Sequence, residues 1–310
     1  MEPKPDVTAS LARFVASTKW EQIPDAARHA AKRALMNFFA VAFSGCRTEP
    51  VDLALKTLSQ FSGGTPATVI GRKERIDALS AAFLNAAGAN VFDYCDTHLP
   101  TVVHPTAPLA PALLALAELR TVCGPDLLTA FVLGFEIECR VGLAVSPGHY
   151  PKGWHITSTC GVFGAAAGAA KLLGLTPQQI VWALGSASTQ SAGLCECLGW
   201  PAKSVSVGNA ARNGLLSALL AEKGFSGPPE PIAGAQGWIA AMGEPPNWEG
   251  LIGKLGESDN AVAAEIENAP HDVSRIGGDQ CRGDEVVGEQ QIAALFAAPD
   301  LDHPVLERFS

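Results

Sequence analysis

Tyrosine is almost missing from this chain of 310 residues, which has two, and methionine contributes only three. There is no block of Lys or Arg. The 22 basic residues are scattered among 31 acidic ones and the net charge is −9. Binding to nucleic acid needs a basic face, so that role is not expected. A small anionic substrate stays open, because local cations decide that. No apolar run reaches membrane-spanning length without a polar, Pro or Gly interruption. The opening segment, Met1 to Val7, is polar and lacks a signal-peptide core. Eight cysteines occur without a C-x-x-C pair, and Cys195 and Cys197 would point to different sides of a helix. Reduced, buried thiols in a cytoplasmic protein are the expectation, since zinc and iron–sulfur sites need ligand spacing that is absent. No G-x-S-x-G elbow occurs, and Gly161–Gly168 fits neither a phosphate loop nor a dinucleotide fingerprint.

What remains is rich in Ala, Leu and Gly, with 47% apolar and 17% charged residues. That mix favours helices over strands. Helical spacing predicts helices over 8–17, 23–43, 51–61, 76–91, 106–122, 127–145, 157–173, 205–223 and 237–242, with another starting at Thr176. Thr106 reads as an N-cap, Gly124-Pro-Asp126 as a break, and 67–70 as a short strand. Thr176-Pro-Gln-Gln179 has the form of a capping box. Gly164 and Gly168 share a face that would admit a close neighbour. The expected fold is all-α: a compact multi-helix domain over 1–257, followed by a divergent, poorly packed tail over 258–310 without hydrophobic period.

Three polar islands interrupt this apolar background. The first is Asp93-Tyr-Cys-Asp-Thr-His98 with His104. Its ionisable groups are costly to bury unpaired, so it is either a satisfied structural knot or a proton-handling site. Asp93, Asp96 and Thr97 lie three and four apart and would share a face at a helix end. Asp-x-x-Asp with two His also resembles a metal site, although hard-metal sites usually supply more carboxylates. The second island, Gly148–Thr157, carries His149, Lys152 and His155. There His155 stands at the mouth of a helix and His149 is expected to be exposed. The third, Gly199–Ser204, places Lys203 in a loop before a helix, where it could neutralise a carboxylate.

Taken together, these segments resemble the MmgE/PrpD family. The matching pieces are Phe92-Asp-Tyr-Cys-Asp-Thr-His98 with His104-Pro105, Lys152-Gly-Trp-His-Ile-Thr-Ser-Thr-Cys-Gly-Val-Phe-Gly-Ala-Ala-Ala167, Lys171–Leu175, Ala183–Gly185, Pro201-Ala-Lys203 and Ala221–Pro228, in family order over roughly 5–257. The resemblance implies a cofactor-free, metal-free and usually dimeric enzyme with a helical domain and a smaller α/β lid. It implies an active-site set of Asp93, Thr97, His104, His155 and Lys203. Three departures stand out. A family carboxylate is Cys95, a family His is Asn90, and no Lys-Pro-Tyr-like lid motif occurs in 258–310, so the lid is expected to be truncated or absent.

The resulting expectation is a 2-methylcitrate dehydratase-like lyase acting on a small di- or tricarboxylate. Decarboxylation or epimerisation of a similar carboxylate, or a lidless non-catalytic remnant, are the alternatives. His104 and His155 would be the proton-transfer pair and Asp93 would orient an imidazole. Lys203 would bind a carboxylate, with Thr97 and His98 as further substrate contacts.

Overall fold

The computed structural model describes residues 6–242 and 245–256. All belong to the first of two units, Met1–Asn268; the second, Ala269–Ser310, and the expected tail lie outside the described residues. The described part is all-helical apart from one two-stranded hairpin. Its elements are α1 (Val7–Ser17), α2 (Asp25–Gly45), α3 (Glu49–Leu58), β1 (Ala67–Thr68), β2 (Arg75–Ile76), α4 (Ala78–Asn90), α5 (Thr106–Ala117) and α6 (Gly124–Val145). Then follow α7 (Ile156–Leu172), α8 (Pro177–Ser188), α9 (Ala202–Glu222), α10 (Trp238–Met242) and α11 (Trp248–Ile252).

The small-residue sequence of α7 explains the centre of the fold. Residues 156–170 are all buried, so this helix has no solvent face. It packs against α5, α6, α8 and α9. A Cβ on Gly164 would lie 2.5 Å from Glu138 Oε2 and 3.0 Å from the Gly134 carbonyl of α6. A Cβ on Gly214 of α9 would meet the Val162 carbonyl at 2.8 Å. Backbones this close leave no room for side chains. Phe38, Phe131, Phe135 and Phe163 fill the spaces between helices and are almost fully buried. Each contributes roughly 1.5–3 kcal/mol through removal of apolar surface from water.

Outer helices show the spacing expected of one-sided burial. Val7, Leu11, Ala12 and Val15 form the inner face of α1. Lys171 Nζ donates to the Ala16 and Thr18 carbonyls at 3.0 and 2.6 Å, satisfying the C-terminal end of α1. Near the last described turn, Arg140 pairs with Glu136 at 2.7 Å, and both are buried. Arg140 also donates to the Gly253 carbonyl at 2.9 Å.

Several boundaries differ from the sequence expectation, each for a local reason. α5 ends at Ala117 rather than 122. Glu118 turns its carboxylate to the Thr68 N–H and hydroxyl, both at 2.8 Å. Gly124-Pro-Asp126 opens α6 instead of breaking the chain, because Pro in a first turn gives up only an N–H that has no helical acceptor. The strand at 67–70 shrinks to two residues, paired antiparallel with an unforeseen partner in the register Ala67↔Ile76 and Thr68↔Arg75. α9 begins at Ala202, so Lys203 is in its first turn and not in a loop. Thr106 does not cap α5; its hydroxyl donates to Asp96 Oδ2 at 2.6 Å.

Candidate active site

Because α4 stops at Asn90, the segment 93–97 is not helical, and Asp93 takes a left-handed backbone with φ 57°. The expected shared helical face of Asp93, Asp96 and Thr97 is therefore replaced by a turn that sends them in different directions. Asp93, half exposed, forms an ion pair with the buried Lys203 of α9. Its carboxylate holds an ammonium, and its charge also acts on the His155 imidazole. Asp96 turns inward, to the Thr106 hydroxyl, and burial pushes its carboxyl up to about 7. Asn37 on α2 fixes this segment from outside. Its side chain donates to the Tyr94 carbonyl at 3.0 Å and accepts from the Asp96 N–H at 3.1 Å.

His104 is held at Nδ1 by the Thr97 hydroxyl and the Asp96 carbonyl, both at 3.1 Å. Its backbone N–H donates to Thr157 Oγ1 in the first turn of α7. His155 precedes that turn. It receives support from a neighbouring strand-like segment, where its N–H donates to the Gly193 carbonyl at 3.1 Å and the Cys195 N–H donates to the Gly153 carbonyl at 2.8 Å. His155 Nδ1 lies 3.2 Å from Ser158 Oγ and 3.3 Å from Ser206 Oγ. Ser206 is one turn beyond Lys203 on α9. Contacts link Asp93, Lys203, Ser206 and His155 on one side and Thr157, His104 and Thr97 on the other, and His155 and Thr157 are two positions apart in the chain, so the three polar islands adjoin. Burial lowers the His155 imidazole to about 4, helped by the nearby Lys203 and His104 charges and opposed by Asp93.

Two other histidines have different surroundings. His98 is buried, with Nδ1 2.7 Å from the Thr101 hydroxyl, and burial lowers it to about 4. It braces the turn that leads to His104. His149 is fully buried rather than exposed; it stacks on Trp154 and its Nε2 lies 2.8 Å from Thr159 Oγ1. Stacking lets a Pro/Gly loop fold its imidazole under the indole.

Sequence spacing gave no signal for Glu138. It is fully buried on α6, neither carboxyl oxygen has a hydrogen-bond partner among the described residues, and burial followed by the Asp96 charge drives its proton affinity well up. Asn37, Thr157, Ser158 and Ser206 were likewise missed, being ordinary helix residues until tertiary contacts are known. Among the described residues, no three His, Cys, Asp or Glu side chains are grouped to hold a metal ion. No described helix is long and apolar enough to cross a membrane.

A cation in a buried position, beside two imidazoles within reach of one another's charge, is suited to an organic anion that must gain or lose a proton. Residues 9–251 match the model of the MmgE/PrpD N-terminal domain. The chain is 35% identical over 234 residues to a cis-aconitate decarboxylase-like protein, oryM, of Aspergillus oryzae, covering 73% of the chain and 48% of that protein. It is 34% identical to cis-aconitate decarboxylase of Aspergillus terreus, covering 72% of the chain and 47% of that protein. It is 31% identical to cis-aconitate decarboxylase of Homo sapiens, covering 71% and 47%. The chain spans about half the length of these relatives.

Proposed function

The chain belongs to the MmgE/PrpD family, and on that basis we propose that its site decarboxylates a small unsaturated tricarboxylate of the cis-aconitate type. The observation that carries this reading is the Asp93–Lys203 ion pair set beside the imidazoles of His104 and His155. The sequence alone put dehydration first. The names of the relatives favour decarboxylation instead.

The chemistry follows from the substrate class. In cis-aconitate one carboxylate sits on a CH₂ group next to the double bond. When that carboxylate leaves as CO₂, its bonding pair forms a new C=C to the former CH₂. The old double bond supplies its pair to the far carbon, which takes a proton. Each turnover consumes one proton and releases one CO₂. Negative charge spreads towards the remaining carboxylates as the C–C bond stretches, so a fixed cation beside them lowers the barrier.

Lys203 is the cation in that role, and Asp93 holds it in place until substrate arrives. Thr97 steadies His104, and His104 and His155 form the proton-transfer pair. His98 serves the site indirectly, by bracing the turn before His104. An incoming tricarboxylate brings three negative charges next to an imidazole that is neutral in the empty site. That field raises its proton affinity, so the proton needed for the reaction is recruited along with the substrate.

The test is turnover of cis-aconitate by the full chain in deuterated water, followed by NMR. The expected product is a five-carbon dicarboxylate with a terminal CH₂=C group and one deuterium on the CH₂ beside the other carboxylate. Lys203→Ala should lower kcat/KM by about 100-fold or more. Water loss from citrate or 2-methylcitrate, with no CO₂ from cis-aconitate, would replace this reading with the dehydratase one.

A further inference from the structure

His155 sits between two serine hydroxyls, and the destinations of their protons decide which ring nitrogen carries hydrogen. Ser158 Oγ donates to the His155 carbonyl at 2.9 Å. Ser206 Oγ donates to the Lys203 carbonyl at 2.8 Å. Each hydroxyl has one proton, and each is committed to an oxygen that can only accept. Both oxygens also face His155 Nδ1, at 3.2 and 3.3 Å. With their protons spent elsewhere they can only accept from that nitrogen, so Nδ1 is the donor.

We infer that Ser158 and Ser206 hold His155 as its Nδ1–H tautomer, making Nε2 the nitrogen that carries the reaction's proton. The assignment of the tautomer stands on hydrogen bonds alone, while the role of Nε2 rests on the decarboxylase reading. Among the described residues no hydrogen bond engages Nε2. Substrate binding adds a proton there, giving an imidazolium whose Nδ1–H stays anchored. In the chemical step the Nε2–H bond breaks and a C–H bond forms at the far carbon of the old double bond. The C–CO₂ bond breaks, its pair becomes the new C=C, CO₂ leaves, and His155 returns to the neutral Nδ1–H form.

Ser158 and Ser206 are positioning residues in this scheme. Their own positions are enforced from outside. Gly193 has φ 143°, and a Cβ there would fall 1.9 Å from Ser158 Oγ, so the bare backbone of Gly193 walls that hydroxyl in. Ser206 receives its orientation from the carbonyl of Lys203, which ties the proton carrier to the anion-binding residue within one helical turn.

The experiment is long-range proton–nitrogen NMR on the full chain with ¹⁵N-labelled histidine, with His155 assigned by its loss in His155→Gln. Without substrate, above pH 7, the expected pattern is a protonated-type Nδ1 and a bare Nε2. A wild-type spectrum with Nε2 protonated overturns the inference, whatever the variants do. In Ser158→Ala/Ser206→Ala the Nδ1–H form should lose its dominance; an unchanged tautomer in that variant also overturns it. Ser206→Thr, which keeps the oxygen, should retain the wild-type pattern.

Activity supplies the second readout. The double alanine variant should lose about 10- to 100-fold in kcat, with KM changed less than about twofold, and Ser206→Thr should recover most of it. A loss confined to KM counts against the proposal. If wild type turns over no cis-aconitate, the decarboxylase reading and the role of Nε2 fall, and the NMR pattern still decides the tautomer.

Discussion

Asn90 Nδ2 lies 3.7 Å from Cys95 Sγ, so the two positions where this chain departs from the family's polar pattern touch each other. The Cys95 thiol also donates to the Ala89 carbonyl at 3.1 Å, and burial pushes it up to about 12. At neutral pH it is an uncharged group in a place where the family resemblance implies a carboxylate. The paired departures suit each other: a neutral amide faces a neutral thiol, where an imidazole would face an acid.

Restoring the acid alone should therefore be harmful. Cys95→Asp puts a carboxylate in an apolar enclosure already holding Asp96, and should cost on the order of 2–4 kcal/mol. Asn90→His added to it should recover part of that loss. A urea-melt double-mutant cycle should give a coupling of about 0.5–3 kcal/mol; strict additivity would show that the two positions act independently.

Loss of the Asp93–Lys203 pair should affect binding far more than folding. Asp93 is half exposed, and solvent-screened pairs contribute about 0–1 kcal/mol to stability. Lys203→Met, which keeps most of the stem packed, should melt within a few degrees of wild type. Millimolar citrate should raise the melting temperature of the wild type and leave that of Lys203→Met unchanged.

Glu138 and Asp96 make a stability cost that grows with pH. The unfolded chain releases the Asp96 proton near 3.8, whereas the folded chain holds it until about 7. Glu138 behaves in the same direction from an ordinary value of 4.5. Between these limits the folded state binds more protons, so stability falls as pH rises. Glu138→Gln removes the Glu138 share of that drive and leaves the Asp96 share. It should gain on the order of 1–3 kcal/mol at pH 8 and much less at pH 4, measured by denaturant titration at both.

Histidine burial works on the acid side. His98 and His155 both drop from 6.5 to about 4 on folding. The unfolded chain takes up these protons first as pH falls through that window, so the contribution is present above 6.5 and lost towards 4. His98→Asn should be less stable than wild type at pH 7, where it forgoes the Thr101 contact. Its stability should fall less between pH 7 and pH 5, in the same denaturant titrations.

Close helix crossing makes a sharper demand. Gly214→Val would force a side chain into the Val162 carbonyl and the Ala165 methyl, 2.8 and 2.5 Å from where its Cβ must go. A cost of about 1–3 kcal/mol, or failure to fold, is expected from overpacking. Gly63→Val, where nothing lies within 4 Å, is the surface control.

How much of this could be read from the chain itself depended on whether the deciding contact was local. The helix at 8–17, the capping box of α8 and the small-residue face of α7 are set by neighbours three or four residues away, and spacing exposed them. The polar islands were visible because ionisable groups are rare here. Their pairing was not, since Asp93 and Lys203 are 110 positions apart. Thr106 looked like a cap because Thr often is one, yet a buried carboxyl ten residues back claimed its hydroxyl. Glu138 was unreadable: on a helix its spacing is that of any polar residue, and only the approach of Gly161 and Gly164 makes its place dry.

Asp93 has one more implication, through its backbone. Its left-handed φ is comfortable for Gly, Asn and Asp and strained for most other residues. Two of those three forfeit the negative charge. Mutational drift at this codon is accordingly confined to a very short alphabet, and a lineage that abandoned the carboxylate for a branched side chain would have to rebuild the bend as well.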